Sequence, residues 1–118
     1  HEMLHSIGFI HEHQRPDRDQ FVDIYFQNIA QGKADQFDVN TFRSYFHDYH
    51  LQYDIHSVMH YPEKSFSKDN LNTIVAKNGQ RLGCFHLKQC PTLLDIQKIN
   101  TVYNCSKNWG TSRIFPAK

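Results

Sequence analysis

At 118 residues, with 39% hydrophobic and 14% aromatic side chains, the chain can bury one modest core and forms a single domain at most. Its formal net charge of +1 and scattered basic residues give no electrostatic basis for binding nucleic acid or a membrane surface. No apolar run approaches 18 residues, the length from which a bilayer-crossing helix is read, so no segment spans a membrane.

The chain opens on His1-Glu2-Met3-Leu4-His5-Ser6-Ile7-Gly8-Phe9-Ile10-His11-Glu12. On a helix, residues four apart share a face, so His1 and His5 can each present one ring nitrogen to a single ion. Glu2 lies roughly 100° around that helix, beside the ion rather than on it, where a general base can take a proton from an activated water. Gly8 falls where the helix should end, because a residue without Cβ can enter the left-handed region and turn the chain back. The turn brings round His11 as a third ligand. Three protein ligands leave one position open, as in a catalytic rather than a structural zinc site, and an all-nitrogen set suits Zn2+ better than magnesium or calcium.

Arg15, Asp17, Arg18 and Asp19 follow and read as a structural charge cluster of surface pairs. Phe21 to Phe26 is β-prone and reads as a short extended segment. Ala30 to Asp48 is polar with scattered aromatics, irregular apart from one short helical piece near Thr41 to Tyr45. Ser57-Val58-Met59-His60-Tyr61 comes next, with Pro62 barring any helix from continuing. Taken alone, Met59 is ordinary core packing and Tyr61 a half-buried aromatic. Thr73 to Ala76 reads as a strand closing at the Asn78-Gly79 turn. The clearest helix lies where Leu93, Ile96, Ile99 and Tyr103 recur at three- and four-residue spacing, with Thr92 and Asp95 as a capping box. Ser106 to Lys118 loses that period and reads as a tail or linker. Of nine histidines, His13, His47, His50, His56, His60 and His86 have no motif to explain them.

His1 to Asp19, read as H-E-x-x-H-x-x-G-F-x-H-E-x-x-R-x-D-R-D, resembles the astacin family of zinc endopeptidases within the metzincins, and Ser57 to Tyr61 resembles the S-x-M-H-Y Met-turn of that family. The resemblance implies an α+β, metzincin-like fold, of which residues 1–105 are the lower, carboxy-terminal subdomain: the start of the catalytic helix, the Met-turn and a terminal helix, largely irregular in between. It implies zinc ligation by His1, His5 and His11, with Tyr61 as a further, displaceable ligand that swings off to stabilise the oxyanion. Glu2 is then the general base and Met59 an apolar floor under the histidine rings. Glu12 is implied to sit buried against an amino terminus freed by propeptide removal. Protein or peptide substrates and secretion follow from the same resemblance, while oligomeric state does not.

Three cysteines make an odd count for a secreted enzyme. By resemblance Cys105 bonds to an amino-terminal half that precedes His1, whereas Cys84 and Cys90 can close a short local loop. A helix whose first residue is a ligand has no earlier turn to hold it and frays, so the chain reads as part of a longer peptidase. By itself it is expected to bind zinc weakly and cleave slowly or not at all. The competing reading is a non-catalytic extracellular module that keeps the fold; degenerate members lose the base or a ligand, and here Glu2, His1, His5, His11 and Tyr61 are all intact.

Overall fold

The structure is a computed structural model that describes residues 1–39, 51–82 and 90–105. Its regular elements are helix α1 (Glu2–Ser6), strand β1 (Val22–Ile24), strand β2 (Ile74–Ala76) and helix α2 (Leu93–Val102), separated by single 3-10 turns and extended loops. The mixture is α+β, and loops occupy most of the described chain between α1 and α2. The helical piece expected near Thr41 to Tyr45 lies outside the described residues, as do Cys84 and Ser106 to Lys118.

Helix α1 is shorter than its motif, and His1 stands at its cap rather than inside it. The stop is a Schellman turn: Gly8, at φ 93°, donates its N–H to the His5 carbonyl at 2.9 Å, and Phe9 donates to the Leu4 carbonyl at 3.0 Å. Leu4 and Phe9 pack in the same apolar cluster, the hydrophobic contact that accompanies such a turn.

β1 and β2 pair antiparallel, with Val22 opposite Ala76 and Ile24 opposite Ile74. The alternation is visible in burial: Val22, Ile74 and Ala76 face the core while Asp23 faces solvent. The extended segment is shorter than Phe21 to Phe26, because Phe26 already begins a 3-10 turn. Gly79, at φ 75°, takes the left-handed position of the turn after β2.

Two apolar clusters result. The larger joins the strands to Ile29, Phe37, Tyr53, Ile55, Tyr61 and Leu82. The smaller holds Leu4, Phe9, Val58 and Met59 together, with Ile99 and Val102 of α2 against it.

Helix α2 has the capping box expected of Thr92 and Asp95, each side chain accepting from the other's backbone N–H at 3.0 Å. Only part of the stripe of Leu93, Ile96, Ile99 and Tyr103 faces inward, Ile99 lying against the smaller cluster. Leu93 is 80% exposed, while Asp95 and Lys98 are buried. The reason is electrostatic: both charged side chains have partners waiting inside. Asp95 accepts from Ser57 Oγ at 2.6 Å and from the Val58 N–H at 3.0 Å, and Lys98 Nζ donates to Glu12 at 2.6 Å. Tyr103 donates its hydroxyl to the Ile7 carbonyl, tying the end of α2 to the end of α1.

The charge cluster also needs correcting. Arg15 and Arg18 are buried rather than superficial. Arg15 reaches Asp17 at 2.6 Å, Glu12 at 2.9 Å and two backbone carbonyls, those of Leu51 and Gln52. Arg18 donates to the carbonyls of His13 and Phe37. Such networked, dehydrated guanidinium groups fix loops that have no ladder of their own.

Candidate metal centre

α1, the Gly8 turn and the extended residues after it bring three imidazoles together. The Nε2 atoms of His1, His5 and His11 lie 3.2 Å (His1 to His5), 3.2 Å (His5 to His11) and 3.3 Å (His1 to His11) apart. Among the described residues this is the group of three or more His, Cys, Asp or Glu side chains able to hold a metal ion, and all three rings are half-buried.

The protons say what these nitrogens can do. A carbonyl oxygen only accepts, so His1 donates through Nδ1–H to the Val58 carbonyl at 2.7 Å, and His5 through Nδ1–H to the Phe9 carbonyl at 2.8 Å. With Nδ1 protonated, a neutral ring presents a bare lone pair at Nε2. Lone pairs converging on one point repel unless a cation sits among them. Tetrahedral ligation at 2.0–2.1 Å requires nitrogens about 3.3–3.4 Å apart, and the observed triangle fits this to about 0.1 Å. The carbonyls of Val58 and Phe9 are the outer partners that hold such ligands in one tautomer and orientation.

His1 is therefore held from outside its own helix. Its anchor is the Met-turn, 57 residues away in sequence. That turn is itself clamped by Asp95 of α2 through Ser57 and Val58.

Burial, followed by the proximity of His5, pushes the His11 imidazole down to about 4 against an opposing hydrogen bond with the Gln14 side chain. Burial likewise holds His13 well below its usual value despite its bond to the Gln36 carbonyl. Unfolded, both take up a proton near 6.5. Between these limits the unfolded chain binds more protons than the folded one, so stability of the apoprotein is lost as pH falls from about 6.5, the His11 share levelling off near 4. The urea midpoint of the metal-free chain is expected to drop on acidification from about pH 7 to about pH 5; a midpoint that holds or rises contradicts it.

The other expected site residues lie close by. Glu2 extends into solvent with Oε1 3.9 Å from His1 Nε2, flanking the triangle. The ring of Tyr61 lies 4.4 Å from that of His11, centroid to centroid. Burial raises its phenol above the ordinary value, Asp35 adding to the effect, so without a metal it stays a protonated donor. Met59 is buried with Leu4, Phe9 and Val58, and its carbonyl accepts the Glu12 N–H at 3.0 Å. Glu12 is buried as expected, but its partners are internal: Arg15, the Asp54 N–H and Lys98. Cys90 and Cys105 are both exposed, and the short loop that Cys84 and Cys90 can close lies partly outside the described residues.

Sequence reading missed the outer layer of this site. Backbone acceptors such as those of Val58 and Phe9 carry no residue signature. Asp95 was legible as a cap, but not as a clamp on the Met-turn. Lys98, a cation in line with Asp95 at i+3, gave the one available hint that this helix buries charge.

Three half-buried ring nitrogens converging on one point, with a carboxylate alongside, make the donor set of a metal-binding centre. Residues 1–104 match the family model described as Astacin, a peptidase family. The chain belongs to the astacin family.

It is 42% identical over 106 residues to the zinc metalloproteinase nas-8 of Steinernema carpocapsae, covering 89% of this chain and 25% of that protein. To nas-7 of Caenorhabditis elegans it is 41% identical, covering 89% and 27%. Among solved structures it superposes on the hatching enzyme zinc-protease HCE-1 of the medaka Oryzias latipes with a TM-score of 0.75 at 30% identity, over 89% of this chain and 50% of that one. The chain thus spans about a quarter of the length of these zinc metalloproteinases.

Proposed function

We propose that this chain carries the catalytic centre of a secreted, zinc-dependent endopeptidase acting on protein or peptide substrates. The observation that carries the reading is the Nε2 triangle, with the remaining nitrogens of His1 and His5 committed to backbone carbonyls. His1, His5 and His11 would hold the ion. Zinc in such a site supplies Lewis-acid polarisation of water and of the substrate carbonyl.

The chain's own groups do the rest. Glu2 accepts the proton of the attacking water at a carboxylate oxygen and returns it to the leaving amine nitrogen. Tyr61 donates its phenolic proton in a hydrogen bond to the oxygen on which negative charge develops, an interaction strengthened where the pocket excludes water. Asp95, Val58 and Phe9 fix the rings of His1 and His5, so little reorganisation of these two is needed when substrate arrives. No helix among the described residues is long and apolar enough to cross a membrane.

Metal removal tests the reading. Treating the natural protein with a zinc chelator is expected to abolish casein cleavage, and adding back about one equivalent of zinc to restore it, since an open site of this kind needs a single ion. Cleavage indifferent to the chelator would sink the proposal.

A further inference from the structure

We propose that Tyr53 and His60 are positioning residues for Tyr61, acting through a buried two-bond relay; the inference rests on the role for Tyr61 given above. The bonds can be assigned direction. His60 Nδ1 lies 2.7 Å from the backbone carbonyl of Tyr61, and a carbonyl only accepts, so Nδ1 carries the proton. In the neutral ring His60 Nε2, 2.8 Å from the Tyr53 hydroxyl, is then the acceptor, and Tyr53 donates. A neutral His60 satisfies both bonds only in this arrangement, whereas an imidazolium would donate at both nitrogens and make the Tyr53 hydroxyl the acceptor; the relay is the neutral form.

The setting makes the relay stiff. His60 is 1% exposed, and Tyr53 is buried. Tyr53 stacks on Phe21 with centroids 4.6 Å apart and an interplanar angle of 8°, and the Arg15 guanidinium lies 5.3 Å from its centroid. Arg15 in turn is paired with Glu12, the residue after His11. Burial, with the Glu12 charge adding, pushes the Tyr53 phenol far above its ordinary value, so it remains a donor at every working pH.

The carbonyl that His60 grips is the one joined to Pro62. Proline already restricts the backbone of the residue before it, and the imidazole now fixes where that residue's carbonyl points. The Tyr61 ring meanwhile rests on the His13 ring, stacked at 4.1 Å. Backbone and ring are thus held from two sides, leaving rotation about the side-chain bonds as the freedom by which the hydroxyl can approach or leave the metal centre.

The test is a cycle of Tyr53→Phe, Tyr61→Phe and the double variant in the natural protein, with kcat and KM measured separately. Loss of an outer partner of this kind lowers activity roughly 10–100-fold, and Tyr53→Phe is expected to do so in kcat with KM nearly unchanged. In the Tyr61→Phe background the same change is expected to have no further effect on kcat, because the residue it positions has already lost its hydroxyl. A loss that persists at full size in that background marks general structural damage and overturns the relay. So does an unchanged kcat in Tyr53→Phe when Tyr61→Phe is impaired. If Tyr61→Phe is itself fully active, the assigned role of Tyr61 falls, and the relay with it. Should Tyr53→Phe not fold, nitrogen-15 NMR of the unaltered protein decides: His60 protonated at Nδ1 supports the relay, and a proton on Nε2 overturns it.

Discussion

Replacing Glu2 with glutamine is expected to lower kcat/KM for peptide cleavage by roughly 10²–10⁴-fold, the usual contribution of a positioned general base, while zinc content and unfolding midpoint stay where they were. The separation of effects follows from where the side chain sits. Glu2 projects from the first turn of α1 with its side chain 89% exposed, so its removal opens no cavity and strands no buried partner. Exposed groups of this kind contribute little to stability. Glutamine keeps the size and loses the ability to take a proton, which makes it the cleaner replacement. The Glu2 carboxylate stands beside the nitrogen triangle, within reach of a water that an ion there would polarise. A variant that cleaves at the parental rate would show that the proton goes elsewhere, and the assignment of Glu2 would have to be abandoned.

The second large effect concerns stability. Glu12→Ala is expected to cost about 3–5 kcal/mol, because removing one member of a buried ion cluster leaves the others uncompensated. Three donors converge on this carboxylate: Arg15 at 2.9 Å, the Asp54 N–H at 3.0 Å and Lys98 at 2.6 Å. Without it Arg15 retains Asp17, whereas the buried Lys98 ammonium loses the partner that drew it inward. Lys98→Met should be milder, since Glu12 keeps Arg15 and the Asp54 amide and the methionine stem fills similar volume. Combining the two changes should recover part of what Glu12→Ala loses, as no orphaned ammonium remains. Urea unfolding of the three variants checks the ordering. Lys98→Met proving the more damaging, or a double variant worse than the sum, would refute this account of the cluster.

These two residues also mark how far the sequence could be read. The convergence of His1, His5 and His11, with Glu2 beside them and the turn at Gly8, was legible because helix geometry converts spacing directly into direction. The strand at Ile74–Ala76 and the cap at Thr92 were legible for a related reason: β-branched residues, an Asn-Gly pair and a Thr-x-x-Asp pattern act locally. Less legible was which side of α2 faces inward. Its apolar period pointed to Leu93 and Ile96, yet the inward face was decided by Glu12 and the Met-turn, 86 and 37 residues away from their partners on the helix. A buried carboxylate recruits a cation wherever the fold can bring one, and single-sequence periodicity has no view of that demand. The same limitation hid the burial of Arg15 and Arg18, whose acceptors include distant backbone carbonyls, and the Tyr53 to His60 bond, which joins residues unremarkable on their own.

His1 leans on Val58, and Val58 on Asp95. A ligand near one end of the described chain therefore waits for a carboxylate close to the other. During synthesis the ribosome would release the first imidazole long before the helix that steadies it, and loop closure over such a span comes late in folding. An ion held by the three imidazoles would on this geometry be captured late in biogenesis, once the helix that steadies the first of them is in place.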